Sequence, residues 1–427
     1  MIGKVRQLIK LIKSSQIFSS LDSKNYKLYF TGQSISLIGS WMQSVAMGWL
    51  VYRLTGSKFL LGFIGFTSQI PSFILSPFAG VITDRFNRHK IMFWTQILFM
   101  LQAILFSFLV LFNLIQVWHI IALSLLFGLI SAFDAPARQS LVIDLIDKPE
   151  NLGNAIALNS AMFNGARLFG PAIAGMLIAV VKEGPCFLIN AFSYVAVIWA
   201  LYKIKIPPKV RKEKENMNEG FKEGFKYTFG FKPIKVLLIL LAILSLIGLP
   251  YSTLMPAYAG EVLKGNSHTY GFLMSATGAG AFLGAIYLAS RKTVLGLGKI
   301  IVFSSLLFGL SLIGISFSSN FKLSLVMLFL AGFFMILAIA SINTLVQTLT
   351  DEDKRGRVMS FYAMALMGMN PIGNLIAGSL ASGIGISNTL LIGGVIVILS
   401  GTLFSIVRPS LRQYTHPIYV KKGFVTE

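Results

Sequence analysis

Along most of the chain, apolar residues run in blocks of about twenty or more, separated by short polar turns. That is the length a helix needs to cross the roughly 30 Å hydrocarbon core of a bilayer. Twelve such blocks stand out, near residues 28–53, 60–82, 91–112, 117–139, 154–181, 185–204, 235–259, 269–290, 299–318, 322–347, 358–381 and 387–407. The first is too long and too polar for a signal peptide, and no small-residue cleavage site follows a short apolar core. The expected organisation is a basic N-terminus at 1–27, a six-helix bundle at 28–204, a polar linker at 205–234, a second six-helix bundle at 235–408 and a tail at 409–427. Within 1–27, Leu8, Ile9, Leu11 and Ile12 alternate with Lys4, Arg6, Lys10 and Lys13, which suits a segment lying on a membrane surface.

Composition strengthens this reading. Of 427 residues, 55% are apolar and only 12% charged, and Phe alone occurs 35 times. Mean hydropathy is +0.74. A water-soluble protein of this make-up could not cover its surface with polar groups. The net charge of +21 does not indicate nucleic acid, because the basic residues sit in short clusters between apolar blocks. With the N-terminus inside, external loops hold only Arg53, Lys58, Lys182, Lys264 and Lys322, and Arg167 alone falls within a span. The other 31 of the 37 Lys and Arg face the cytoplasm, where they meet anionic headgroups. Both termini and the linker are therefore expected in the cytoplasm. The single cysteine, Cys186, excludes an intramolecular disulfide and a cysteine-based metal cluster, and the four histidines are scattered. No metal site and no enzymatic constellation is expected. No Gly-x4-Gly-Lys-Ser/Thr occurs, so ATP-driven transport is disfavoured.

The two halves echo one another. Gly80-Val-Ile-Thr has a partner in Gly284-Ala-Ile-Tyr, Ala132…Gln139-Ser-Leu in Ala340…Gln347-Thr-Leu, and Pro171 in Pro371, all in the same order. The loop after the second block reads Gly80-Val-Ile-Thr-Asp84-Arg85-Phe-Asn-Arg88-His-Lys90. It resembles motif A of the major facilitator superfamily, with Asn87 and His89 as departures that remove no required charge. The strings Gly39-Ser-Trp-Met-Gln43, Tyr52-Arg-Leu-Thr-Gly-Ser57, Asp134-Ala-Pro-Ala-Arg138-Gln, Asn154-Ala-Ile-Ala-Leu-Asn-Ser160 and Arg355-Gly-Arg357-Val-Met-Ser360 resemble the transmembrane-secretion-effector branch, which includes the enterobactin exporter and is related to macrolide efflux pumps. The resemblance implies an all-α membrane fold of twelve spans in two pseudo-symmetric six-helix bundles, in the bacterial inner membrane. It also implies that Asp84 docks near Arg355 and Arg357 at the start of span eleven and latches the halves. Arg88 would reach the end of span four, where Asp134 and Arg138 lie. The competing reading is that these are topology charges in a solvated loop.

Span five carries Ala166-Arg167-Leu-Phe-Gly170-Pro171-Ala-Ile-Ala174-Gly175, which resembles motif C of the superfamily's antiporters. Ala166, Gly170 and Ala174 form a ridge without bulk that lets another helix approach closely, and Pro171 removes one backbone hydrogen bond. Plain helix packing is the alternative to an export signature. Polar residues also share helix faces: Gln33, Ser36, Ser40 and Gln43 on span one, Ser160, Asn164 and Arg167 on span five, Asn370 and Asn374 on span eleven. They are read as cavity lining. Arg167, near mid-membrane, either recognises an anionic group or bonds backbone carbonyls loosened by Pro171. Every carboxylate is expected at a helix end or in a loop.

The combined reading is a secondary active exporter of a small molecule (siderophore, drug or metabolite). It would work by alternating access as a monomer, with a proton gradient rather than a cofactor as energy source. Its partners are a small-molecule substrate and membrane lipids, not nucleic acid. An importer or lipid translocase of the same fold is the alternative; an integral membrane enzyme is the more distant one.

Overall fold

A computed structural model describes residues 16–204, 217–291, 293–352 and 354–424, without the side chains of 16–18, 76, 77, 80, 81, 84, 85 and 217–223. Residues 1–15 of the basic N-terminus and 205–216 of the linker lie outside it. The described residues form helices and turns and no strand. The helices are α1 Lys24–Thr55, α2 Lys58–Thr67, α3 Ile70–Arg85, α4 Arg88–Leu111, α5 Val117–Asp144, α6 Leu152–Val181, α7 Gly184–Lys203, α8 Met217–Gly230, α9 Lys232–Ile243, α10 Tyr251–Ala257, α11 Ser267–Ala289, α12 Leu297–Ser316, α13 Phe321–Leu349, α14 Arg355–Ala363, α15 Met369–Ile384 and α16 Ile386–Lys421. Widened π turns follow α9 (Leu244–Gly248), α10 (Tyr258–Val262) and α14 (Met364–Gly368).

Ten helical stretches among the described residues are long and apolar enough to cross a membrane. Two of the twelve expected spans, α1 and the α14–α15 stretch, are not among them. Both are helical yet too polar: α1 carries Lys24, Lys27, Gln33, Ser34, Ser36, Ser40 and Gln43, and α14 opens with Arg355 and Arg357. Large apolar side chains point outward over much of the surface, Trp94, Phe192, Leu403 and Ile406 among them. A helix that presents apolar residues on its outside satisfies its own backbone and needs lipid as solvent.

By contacts the chain divides into two compact units, 1–46 with 74–211 and 47–73 with 212–427. This differs from a split at the linker, because α2 goes with the second unit. In the first unit, Tyr26, Tyr29, Met92, Leu141, Val197 and Leu201 from α1, α4, α5 and α7 form one buried cluster. The Tyr26 hydroxyl donates to the Ala155 carbonyl at 2.9 Å and ties in α6. Phe106 and Phe187 stack at 4.6 Å between ring centroids. Lipid tails are as apolar as leucine, so these helices associate through close packing and polar bonds rather than through expulsion of water.

In the second unit, α2 meets α15 where Gly62 and Gly378 approach: a Cβ on Gly378 would lie 2.8 Å from the Gly62 Cα. Lys58 on α2 pairs with Glu261 at 2.8 Å. Tyr258 anchors its π turn by hydrogen bonds to the Ile315 carbonyl at 3.1 Å, the Ser318 carbonyl at 2.8 Å and the Ser324 hydroxyl at 2.8 Å.

Candidate functional site

The chemistry of the first unit gathers on the C-terminal half of α5. The apolar block ends near residue 139, which placed Asp134 at a helix end. The helix instead runs to Asp144, so Asp134 lies ten positions inside, about 15 Å at 1.5 Å per residue. The expectation that every carboxylate stays at a helix end or in a loop is thereby corrected. Arg138 and Gln139 lower the local hydropathy and end the apolar block early, while the backbone continues as helix.

A lone carboxylate buried in this way would cost several kcal/mol. Asp134 is buried but not alone. The Thr95 hydroxyl donates to Oδ1 at 3.0 Å and Gln96 Nε2 donates to the same oxygen at 2.7 Å. Arg138 Nε lies 3.6 Å from Oδ2, one turn further along α5 on the same face. Beside this cluster is a chamber of about 220 Å³. Gln33, Ser36 and Ser40 from α1 line one side, Gln96 and Phe99 from α4 another, and Asp134 and Arg138 the polar end. Trp41, Phe127, Phe163 and Tyr194 supply aromatic walls. Tyr194 stacks on Phe99 at 5.7 Å, and its hydroxyl lies 3.3 Å from that of Ser40.

The polar face of α1 therefore divides. Gln33, Ser36 and Ser40 line the chamber. Gln43 is buried in a separate network: its Nε2 donates to Gln102 at 3.1 Å and its Oε1 accepts from Asn190 at 2.7 Å. Gln102 in turn donates to the Leu123 carbonyl at 3.3 Å, so the network joins α1, α4, α5 and α7. On α6, Ser160 and Asn164 bond carbonyls of their own helix, those of Ile156 and Ser160. Arg167 lies over the Trp41 ring, 5.7 Å from its centroid, and Trp41 meets Phe163 edge-on. A ring face that attracts a cation is a partner neither reading of Arg167 foresaw. Ala166, Gly170, Pro171, Ala174 and Gly175 are all buried. A Cβ on Gly170 would come 2.6 Å from the Trp41 Cβ and 3.1 Å from the Ile38 carbonyl oxygen, so the small ridge does bring α6 against α1.

Of the motif A residues, Gly80, Asp84 and Arg85 have side chains outside the described set, and with them the expected latch. Arg88 pairs with Asp144 at 3.6 Å, so it reaches the end of α5 by a residue other than the expected Asp134. His89 Nε2 lies 2.8 Å from the Leu201 carbonyl oxygen at the end of α7. In the second unit, Arg355 pairs loosely with Glu352 at 3.8 Å, and the Cβ of Arg357 packs against Gly224 on α8. Tyr227 of α8 donates to Asp351 at 3.1 Å, and Phe225 and Phe229 meet Phe361 edge-on. Asn374 accepts from Thr253 at 2.8 Å and donates to Asn370 at 3.0 Å.

The sequence profile of transmembrane secretion effectors matches residues 15–416. The chain belongs to this family. This secretion effector is 27% identical over 400 residues to a staphyloferrin A transporter of Staphylococcus aureus, covering 90% of the chain and 97% of the relative. It is 22% identical to macrolide efflux protein A of Streptococcus pyogenes, covering 88% and 94%. The solved structure of a bacterial homologue of the human lysosomal transporter Spinster, inward-facing and unoccupied, superposes with a TM-score of 0.71 at 12% identity, covering 92% of this chain and 98% of that one. The fold is the major facilitator fold, and the protein is a multi-pass membrane transporter, not an enzyme.

Sequence reading missed Thr95, Gln96, Gln102, Asn190 and Tyr194, which hold Asp134 or Gln43 or line the chamber of this secretion effector. A signal was present. Thr95, Gln96 and Gln102 interrupt an otherwise apolar run on α4, and isolated polar residues there need partners across helices.

Proposed function

We propose that this secretion effector exports a small molecule by alternating access and exchanges it for protons. It would do so as a monomer of twelve spans in two six-helix halves, in the bacterial inner membrane, with both termini and the linker 205–234 in the cytoplasm. The observation that carries the reading is the chamber of the first unit, where Gln33, Ser36 and Ser40 line one side and Asp134 and Arg138 form the polar end. A cavity between helices with a few convergent polar groups is where a transporter can take up a small molecule. The names of the relatives, a staphyloferrin A transporter and a macrolide efflux protein, support small-molecule cargo and outward movement. The excess of Lys and Arg between spans supports the orientation.

Everted membrane vesicles test this. Vesicles containing the protein, energised by respiration, should accumulate labelled citrate or uncharged chloramphenicol above vesicles lacking it, and a protonophore should abolish the difference. Accumulation only in right-side-out vesicles would reverse the direction. Accumulation that survives the protonophore would remove proton exchange.

A further inference from the structure

At the polar end of the chamber one charge is sequestered and the other is offered. Asp134 is 5% exposed and holds donors from Thr95, Gln96 and Arg138. The Arg138 side chain is 28% exposed, and it spends only Nε on Asp134, at 3.6 Å. A guanidinium carries five N–H donors in a planar fork, so most of them remain uncommitted here. Among the described residues no second carboxylate pairs with it. A cationic ligand would meet the exposed guanidinium and find the carboxylate already occupied.

We propose that Arg138 reads the cargo, and that the group it takes is a carboxylate. The chamber of about 220 Å³ is smaller than the 300–1,000 Å³ of a drug-sized site, so it seats that group and not a whole large molecule. Anion recognition thus falls to Arg138 and not to Arg167, whose charge lies over Trp41. Asp134 then competes with cargo for the same guanidinium. The inference rests on the transport reading for the word cargo, though not for binding.

Purified full-length protein in detergent, titrated with citrate and with uncharged triethyl citrate at matched ionic strength, tests it. Citrate should bind and the ester should not. Arg138→Gln should weaken citrate binding at least tenfold, and Arg138→Lys should recover part of it, because an ammonium lacks the bidentate fork. Asp134→Asn should tighten citrate binding several-fold, an effect a purely structural ion pair would not produce. Because Arg138→Gln leaves Asp134 buried without its ionic partner, the double variant Asp134→Asn with Arg138→Gln guards against misfolding; it should melt near the wild type yet lose citrate. Lys322→Gln, an exposed cation on α13, should change nothing. Absence of citrate binding in the wild type, equal binding of the ester, or unchanged citrate affinity in a folded Asp134→Asn overturns the proposal. The everted vesicles separate the two readings. Citrate bound but never moved, with chloramphenicol also unmoved, would sink export and leave the anion site. Chloramphenicol moved by a protein that does not bind citrate would do the reverse.

Discussion

The two units bury their polar groups in different ways. In the first, an ion pair sits on α5, which runs unbroken through Pro136, and an amide network ties α5 to its neighbours. The network from Asn190 through Gln43 and Gln102 to the Leu123 carbonyl joins four helices. In the second, the embedded cluster of Asn370, Asn374 and Thr253 is neutral, and the helices that bear it include π turns. Charge inside a membrane demands that several elements be held in fixed positions, since each donor must stay within hydrogen-bond range. Neutral pairs demand less and leave a helix free to carry an irregular turn. The first unit holds its charges between regular helices; the second sets neutral pairs beside irregular turns.

The sharpest way to break that contrast is to force apart the helices of the first unit. Gly170→Leu puts a side chain where even a Cβ lies 2.6 Å from Trp41. It should cost at least ~1–3 kcal/mol and sharply lower the yield of folded protein. Gly165→Ala, on the same helix with nothing within 4 Å of its Cβ, should melt at or above the wild-type temperature. Equal melting of the two variants would show that close packing of α6 on α1 is not what holds the unit.

The next largest effect is expected from Gln43→Leu, which strands the Asn190 amide donor in an apolar interior and should cost about 1–3 kcal/mol in detergent melting. Thr253→Val in the second unit removes one hydrogen bond of a neutral cluster and should cost about 1 kcal/mol or less. If Thr253→Val proved the more damaging, the distinction between a shared network and separate pairs would fail. The smallest effect belongs to Lys58→Gln. Its ion pair with Glu261 is short, but the side chains are 23% and 36% exposed, so solvent screening leaves under ~1 kcal/mol. That loss should shrink further at high salt.

Much of the fold was legible, because lipid solvent imposes a blunt rule: long apolar runs are helices, and polar intervals are turns. The same rule hid the site. Span four was drawn to residue 139 because hydropathy drops at Arg138, and that placed Asp134 at an edge when it lies well inside α5. The motif A resemblance points Arg88 to the end of span four beside Asp134; the carboxylate it meets is Asp144, at the helix end. Helical spacing put Gln33, Ser36, Ser40 and Gln43 on one face, but it carries no information on which neighbour each meets; α4 and α7 capture Gln43 while the other three line the chamber. For Arg167 the sequence leaves open an anionic group or carbonyls near Pro171, and it gives no sign of the Trp41 ring on α1 over which it lies.

The π turn at Met364–Gly368 has a consequence for inheritance of the face it precedes. Each residue advances an α-helix by 100° (360° over 3.6 residues), and a π turn accommodates one residue more than an α turn over the same arc. Counting 100° per residue from Arg355 therefore misplaces Asn370 and Asn374 by one position. Deleting one residue between Met364 and Gly368 would turn the π turn into an ordinary α turn over the same arc and leave Asn374 facing Thr253. The same deletion within α15 would rotate everything beyond it by about 100°. A length change that the regular helix could not absorb has a place to be absorbed here.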